Sequence, residues 1–354
     1  MSRTDAAGEP GRTGPTGLPP LGRVGVWAGG ADGWPVAELR RAAAAAERRG
    51  YGTLWFGEAH GREAMAQAAL LLAASGRITV ACGMADVYAR DAVTTAAGAR
   101  TLDEAFPGRF LTTLWESHPS LARDVRGHTH RPAAETLRAY LAALDAAPFG
   151  PPGSPGTRVP RLVSALERDV LETAAHGADG ALVFGLPVEH TREARRLLGP
   201  ERLLAVVQLC VLGPDRAATG AAAAQLAAAA MPNRRELLRR SGHRELDPPG
   251  PGTVDALVAH GDAGTLAARV RAHWAAGADH VALHVITPDG PDGTGGVGGT
   301  DGAPVGAWAE LGAELGVGTG TGRARGRAVD AGGFGRRPGP WRVRRRTGRV
   351  RRRG

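Results

Sequence analysis

The chain runs to 354 residues, 43% hydrophobic and 22% charged, which is enough apolar material for one large core or two small ones. No apolar run approaches the roughly 18 residues of a membrane span, residues 1–20 lack the apolar stretch of a secretory signal, and two cysteines are too few for a disulfide framework, so a cytoplasmic protein is expected. The net charge is +9 without a single lysine, which removes Schiff-base chemistry, a pyridoxal phosphate anchor and a Walker-type phosphate loop.

Residues 1–20 are rich in Gly, Pro and Thr, show no periodicity, and are expected to be disordered. From residue 21 onward, short β-branched runs alternate with longer Ala/Leu/Arg-rich stretches. Arg23–Trp27 reads as a strand, Val36–Arg49 as a helix, Thr53–Phe56 as a strand and Glu63–Ala74 as a helix. Strand Arg77–Ala85, helix Asp91–Ala105, strand Arg109–Leu114 and helix Ala133–Ala146 follow. Beyond the Pro/Gly loop Pro148–Pro160 come strand Arg161–Ala165, strand Ala181–Phe184, helix Thr191–Leu198 and strand Leu203–Leu212. A helical region, Arg216–Arg240, is interrupted at Pro232; helix Thr265–Ala275 and strand His280–Ile286 close the series. Gly50, Gly76, Gly177, Gly199 and Gly277 stand where helices end. Cys82 and Cys210 lie inside apolar strand runs and read as buried free thiols.

About eight strand–helix alternations over residues 21–288 suit a (β/α)8 TIM barrel, whose usual size is about 250 residues. A doubly wound open sheet shares the local pattern, but no G-x-G-x-x-G follows the first strand. Residues 289–354 form a Gly/Arg-rich tail that is too poor in apolar residues to offset chain entropy and is expected to be disordered. From Arg323 to Gly354 thirteen arginines stand against one acid, Asp330, so this stretch carries +12 and the rest of the chain −3. With Phe334 and Trp341 its sole aromatics and no fold around them, the tail is not expected to bring nucleic acid as a partner.

Barrel chemistry sits at the C-terminal ends of the strands. Those ends carry Trp27, then Glu58-Ala59-His60, then Gly83-Met84 with Tyr88 and Arg90, then Trp115-Glu116-Ser117-His118, then Ser164-Ala165. His60 and His118 suit general acid or base work, because imidazole titrates near neutral pH. Glu58 reads either as a site acid or as an acid paired with Arg62 four residues on. His128 and His130, two apart with no carboxylate or thiol set beside them, make a poor metal site, so no metal is expected. His284 has a register that lets it face the barrel mouth.

Leu54-Trp-Phe-Gly-Glu-Ala-His60 resembles the acid–His–His strand-end motif of the luciferase-like flavin and deazaflavin oxidoreductases. Cys82-Gly-Met84 through Tyr88-Ala-Arg90 is similar to their third strand and the Tyr-x-Arg after it; Pro107–Phe110, Ala178–Gly180 and Ala276–His280 match further landmarks. The likeness spans about Leu21–Thr287 and is closest to an actinobacterial subgroup that uses the deazaflavin coenzyme F420. It implies a barrel with an inserted segment, binding F420, or alternatively FMN, at the strand ends and moving a hydride to or from the ring of the cofactor. Glu58, His60 and His118 are then the catalytic candidates. Trp27, Gly83, Met84, Tyr88, Arg90, Ser117, Ser164, Ala165 and Arg168 are the cofactor-binding ones. Gly83-Met84 sits where the family often has a non-proline cis peptide.

The departures from the family pattern are specific. The family's paired histidine is Ala59 here, its Gly-x-Gly after strand four is Thr113-Leu114-Trp115, and its Gly-Pro-basic turn after strand five is Glu167-Arg168-Asp169. Carboxylates in that helical first turn suit the helix dipole but repel phosphate. Three readings follow: an F420-dependent oxidoreductase acting on a small organic substrate, an FMN-dependent luciferase-like monooxygenase, and a non-catalytic barrel. A small-molecule substrate and no membrane partner are expected, with a homodimer as the open assembly.

Overall fold

The computed structural model describes residues 17–148, 158, 160–286 and 302–318. In chain order the elements are β1 (Val24–Ala28), α1 (Val36–Arg48), β2 (Thr53–Gly57), α2 (Ala64–Ala73), β3 (Thr79–Asp86), α3 (Ala92–Ala105), β4 (Phe110–Trp115) and α4 (Ala133–Asp145). The second half adds β5 (Arg161–Ser164), α5 (Arg168–Gly177), β6 (Gly180–Phe184), α6 (Val188–Leu198), β7 (Leu203–Leu212), α7 (Arg216–Ala230), α8 (Arg235–Arg240), α9 (Pro251–Leu257), β8 (Val258–Gly261), α10 (Ala263–Ala275), β9 (His280–Ile286) and α11 (Val305–Glu314). Side-chain oxygens of Glu63, Asp91, Asp215 and Asp262 cap α2, α3, α7 and α10, taking up amide hydrogens that a helix start leaves unpaired.

Every strand pairing is parallel, and eight strands close a ring in the order β1-β2-β3-β4-β5-β6-β7-β9 and back to β1. This is the (β/α)8 barrel that the alternation predicts. Strand β8 stands outside the ring. The edge of β7 that pairs β6 over Leu203–Val207 is free further along and takes β8 over Leu209–Leu212. The β8 strand and helices α7 to α9 bury a separate apolar cluster, including Leu226, Met231, Leu238 and Leu257. The sequence pattern does not show the α9–β8 pair, because Asp255 and His260 cut the apolar run there to Ala256–Ala259.

Period-two alternation divides the strand residues between two layers. Trp55, Leu111, Leu162, Leu182, Val207 and Ala282 fill the barrel interior. Their neighbours Phe56, Phe110, Leu114, Val163 and Val183 pack outward under the helices. Deep in the interior, the Trp55 indole N–H donates to Nε2 of His280 at 2.9 Å, and His280 Nδ1 lies 2.8 Å from the Gly22 carbonyl. An indole can only donate and a carbonyl can only accept, so His280 is the neutral tautomer with its proton on Nδ1. Burial pushes its pKa down to about 4.

Residues 302–318 correct the expectation of a structureless chain from residue 289. Helix α11 places Ala307, Trp308 and Leu311 at helical spacing, all buried, and Tyr51 donates to the Trp308 carbonyl at 2.7 Å. That stripe offsets the ordering of a short helix, which the surrounding glycines hid from a reading of composition. Residues 17–20 of the N-terminal segment also depart from that expectation, since Leu18 packs on the barrel interior and the Thr79 hydroxyl donates to the Pro20 carbonyl at 3.1 Å; residues 1–16 and the arginine tail fall outside the described residues. No helix among the described residues is long and apolar enough to cross a membrane.

Candidate active site at the barrel mouth

The C-terminal strand ends surround a cavity of about 440 Å³, within the usual range of ligand pockets. Its walls are aromatic and apolar: Trp27 from β1, Met84 from β3, Trp115 from β4 and Phe184 from β6. The turn Gly29–Gly33 and the segment Gly57–Gly61 close one side, and His284 from β9 another.

Trp27 and Gly83 account for the shape of the floor. The indole lies edge-to-face on Phe184, with centroids 4.9 Å apart, and passes directly over Gly83. A Cβ at residue 83 would sit 2.3 and 2.5 Å from two ring carbons, so the indole in this position requires glycine. Strand β3 shifts register between Cys82 and Ala85, and this bulge turns Met84 into the cavity. The sole cis peptide among the described residues is Asp247–Pro248, so Gly83–Met84 is trans. The expectation of a cis bond is corrected, since the bulge alone re-aims the chain.

Glu58 borders the cavity, yet its carboxylate is saturated. Both oxygens accept from the Arg90 guanidinium, one of them at 3.0 Å, and the Asp86 and Ala64 amides donate at 2.9 and 3.1 Å. Glu63 adds a second carboxylate to Arg90 at 2.9 Å. A parallel network centres on Asp86, which accepts from Ser117 Oγ, Arg126 Nε and the Tyr88 amide at 2.8 to 2.9 Å. Arg126 also donates to the Ala59 carbonyl at 2.7 Å, tying the loop after β4 to the loop after β2. Ser117 holds φ at +73°, a left-handed conformation rare for serine and fixed here by that bond to Asp86.

Of the residues singled out from sequence, Trp27, Glu58, His60 and Met84 line the one cavity, with Gly83 beneath Trp27. Tyr88, Arg90 and Ser117 belong to the rim networks; Tyr88 accepts from the Arg131 amide and lies against His128 and His130. His118 turns back on its own loop, where Nδ1 meets Ser120 Oγ at 2.7 Å and the Ser120 amide at 3.3 Å. Ser164 and Ala165 are buried at the end of β5, and Arg168 pairs with Glu172 at 3.2 Å along α5. Among the described residues no group of three His, Cys, Asp or Glu is arranged to hold a metal ion.

The strand ends of the first five strands do not point to Phe184 or Asp32, which also line the cavity; His284, whose register lets it face the mouth, is found there. The His284 ring is 5% exposed, and its Nδ1 has no hydrogen-bond partner among the described residues. Burial drives its pKa down to about 4, so it lines the cavity as a neutral ring. Glu116, at the end of β4, carries no role in the sequence reading. Its Oε2 is buried without a partner, and burial, with Asp169 and Asp86 adding repulsion, pushes its pKa up to about 7.

A sequence profile of the luciferase-like monooxygenase family matches residues 21–301. The chain belongs to this family. The fold of this luciferase-like protein is similar to that of an F420-dependent secondary alcohol dehydrogenase solved with an F420–acetone adduct (TM-score 0.61, 14% identity, covering 77% of this chain and 96% of that one). It is also similar to the coenzyme F420-dependent tetrahydromethanopterin reductase of Methanopyrus kandleri (TM-score 0.63, 16% identity, 84% and 98% covered). A third similar structure is the EDTA monooxygenase of Chelativorans sp. BNC1 (TM-score 0.62, 12% identity, 83% and 93% covered). A search of curated proteins finds no match.

The two halves of a flavin-type cofactor fit this luciferase-like barrel unequally. A planar ring suits the aromatic-walled mouth, where Gly29, Gly30 and Gly57 bring bare backbone to the surface. The first turn of α5 does not suit phosphate. Glu167 there is held by Arg240 at 2.5 Å, Arg168 is spent on Glu172, and Asp169 and Glu116 add two more carboxyl groups.

Proposed function

We propose that the chain is an F420-dependent oxidoreductase that exchanges a hydride between the deazaflavin ring and a small organic substrate. The observation that carries this reading is the aromatic cavity at the strand ends, floored by Trp27 over the β3 bulge. Bound there, the ring supplies a carbon that takes up or gives a hydride.

The chain's own part is to bind, orient and exclude water. Trp27, Met84 and Phe184 supply a dry floor. His60, exposed on the cavity rim, is the group placed to exchange a proton with substrate, and neutral His284 lines the same cavity. In this reading Glu58 is a positioning residue that holds Arg90 and the rim. His118 caps its own loop, and the cofactor's phosphate arm does not use the first turn of α5.

An FMN-dependent monooxygenase is supported by the same cavity. The third reading, a barrel without turnover, is favoured by the carboxyl groups gathered at α5. Titration of the purified chain with F420 and with FMN, followed by fluorescence, separates the three. Saturation by F420 at micromolar concentration supports the proposal and saturation by FMN alone supports the monooxygenase. Saturation by neither overturns both enzyme readings.

A further inference from the structure

A second cavity, of about 230 Å³, lies in the outer layer of the barrel, between α3, the end of α4 and the first residues of β5. Thr112 of β4 and Arg161 of β5 are register partners on adjacent strands, and both line this space. Thr112 falls on the outward parity of β4, with Phe110 and Leu114, so its hydroxyl points away from the barrel interior. Each residue is 2% exposed, and Thr112 Oγ1 and Arg161 Nε have no hydrogen-bond partner among the described residues. A buried guanidinium nitrogen and a buried hydroxyl left unpaired side by side are costly, and they point to a missing acceptor.

Among the described residues that line it are three arginines, Arg100, Arg158 and Arg161, and one acid, Asp145. Asp145 takes one Arg161 nitrogen at 2.5 Å, Asp179 takes one of Arg158 at 2.5 Å, and Arg100 donates to the carbonyls of Ala147 and Pro148 at 3.3 and 3.2 Å. An unpartnered guanidinium N–H and an unpartnered hydroxyl on neighbouring strands match the oxygens of a tetrahedral oxyanion. The volume falls below the roughly 300 Å³ at which drug-sized pockets begin.

We propose that this cavity binds a phosphate group, either the free ion or the head of a small phosphomonoester. The site is separated by the barrel wall from the mouth, and it rests on none of the residues assigned to the proposed reaction.

The test is thermal unfolding of the full chain in increasing inorganic phosphate, against potassium chloride at matched ionic strength. Saturating phosphate is expected to raise the midpoint by about 5 °C beyond the chloride control. Thr112→Val keeps the shape and removes the hydroxyl, so the half-saturating phosphate concentration should rise about tenfold; Arg161→Gln should abolish the saturable rise. If Arg161→Gln fails to fold, Thr112→Val carries the comparison alone. A repeat with glycerol phosphate separates the two ligand sources, the tighter one being the better match, and either supports the site. No rise over chloride leaves a water-filled cavity and overturns the proposal. An equal rise in wild type and Thr112→Val also overturns it, assigning the effect to other arginines.

Discussion

Arg90 lays its guanidinium fork on both carboxylate oxygens of Glu58, and both side chains are almost wholly buried, 6% and 3% exposed. The pair joins the end of β2 to the turn before helix α3, one residue ahead of its cap Asp91, and to the Asp86 amide on β3. It therefore fixes the relative height of two strand ends at the barrel mouth. Breaking one side leaves a charge with incomplete compensation, since Glu63 is half-exposed. Glu58→Gln is expected to lower stability by about 3 kcal/mol in urea unfolding. Arg90→Lys should cost nearly as much, because an ammonium cannot span both oxygens. A loss below about 1 kcal/mol in both variants would show that the pair does not hold the rim.

Gly83 and Trp27 set the floor in a comparable way. Gly83→Ala places a methyl group within 2.5 Å of the indole, so the ring must leave its position. Overpacking of this kind costs about 1–3 kcal/mol. The displaced indole should also shift the tryptophan emission and weaken cofactor binding. Unchanged emission and unfolding midpoint would show that the ring has room to spare.

Three buried histidines predict loss of stability in acid. Burial lowers His273 to about 3, with Arg269 adding repulsion, and lowers His280 and His284 to about 4. The unfolded chain protonates them near 6.5, so between pH 6.5 and about 4 it binds more protons than the folded chain, and stability falls as pH falls. At pH 5 the effect is roughly 2 kcal/mol per histidine. Urea midpoints measured from pH 8 to 5 should drop steeply below pH 6.5, and His280→Gln should flatten the drop.

Glu116 runs the other way. Its folded value of about 7 lies above the ordinary 4.5, so the folded chain keeps a proton that the unfolded chain releases. Its contribution to stability falls as pH rises from 4.5 to 7 and stays low above that. Glu116→Gln should therefore gain about 3 kcal/mol on wild type at pH 8 relative to the difference at pH 4.5. Three histidines outweigh one glutamate, so the wild-type chain still loses stability overall on acidification. A constant difference between variant and wild type across this range would contradict the assigned environment of Glu116.

Most of the barrel is readable in the sequence because parallel strands buried on both faces appear as β-branched runs, and the eight ring strands fall within about two residues of their observed ends. Strand β8 and helix α9 escape that logic, since β8 is four residues long with His260 inside it and gains its partner only where β7 outruns β6. Helix α11 was hidden by glycine. At the mouth, local motifs point to Trp27, Glu58, His60 and Met84, which do meet in one cavity. The Arg90–Glu58 fork, the Arg126 bridge and the raised pKa of Glu116 depend on contacts between residues about 30 to 70 positions apart. No spacing rule within one element reveals such contacts.

The proposal that the mouth receives the deazaflavin ring is tested most directly by equilibrium titration with F420, wild type beside Gly57→Leu. A Cβ at residue 57 would meet Trp27 and Met84 at 3.3 and 3.5 Å, so a leucine there fills the cavity while leaving the rest of the rim in place. The predicted result is saturation at micromolar F420 in the wild type and at least about tenfold weaker binding in Gly57→Leu. Failure of the wild type to saturate, or equal affinity in both proteins, would contradict it.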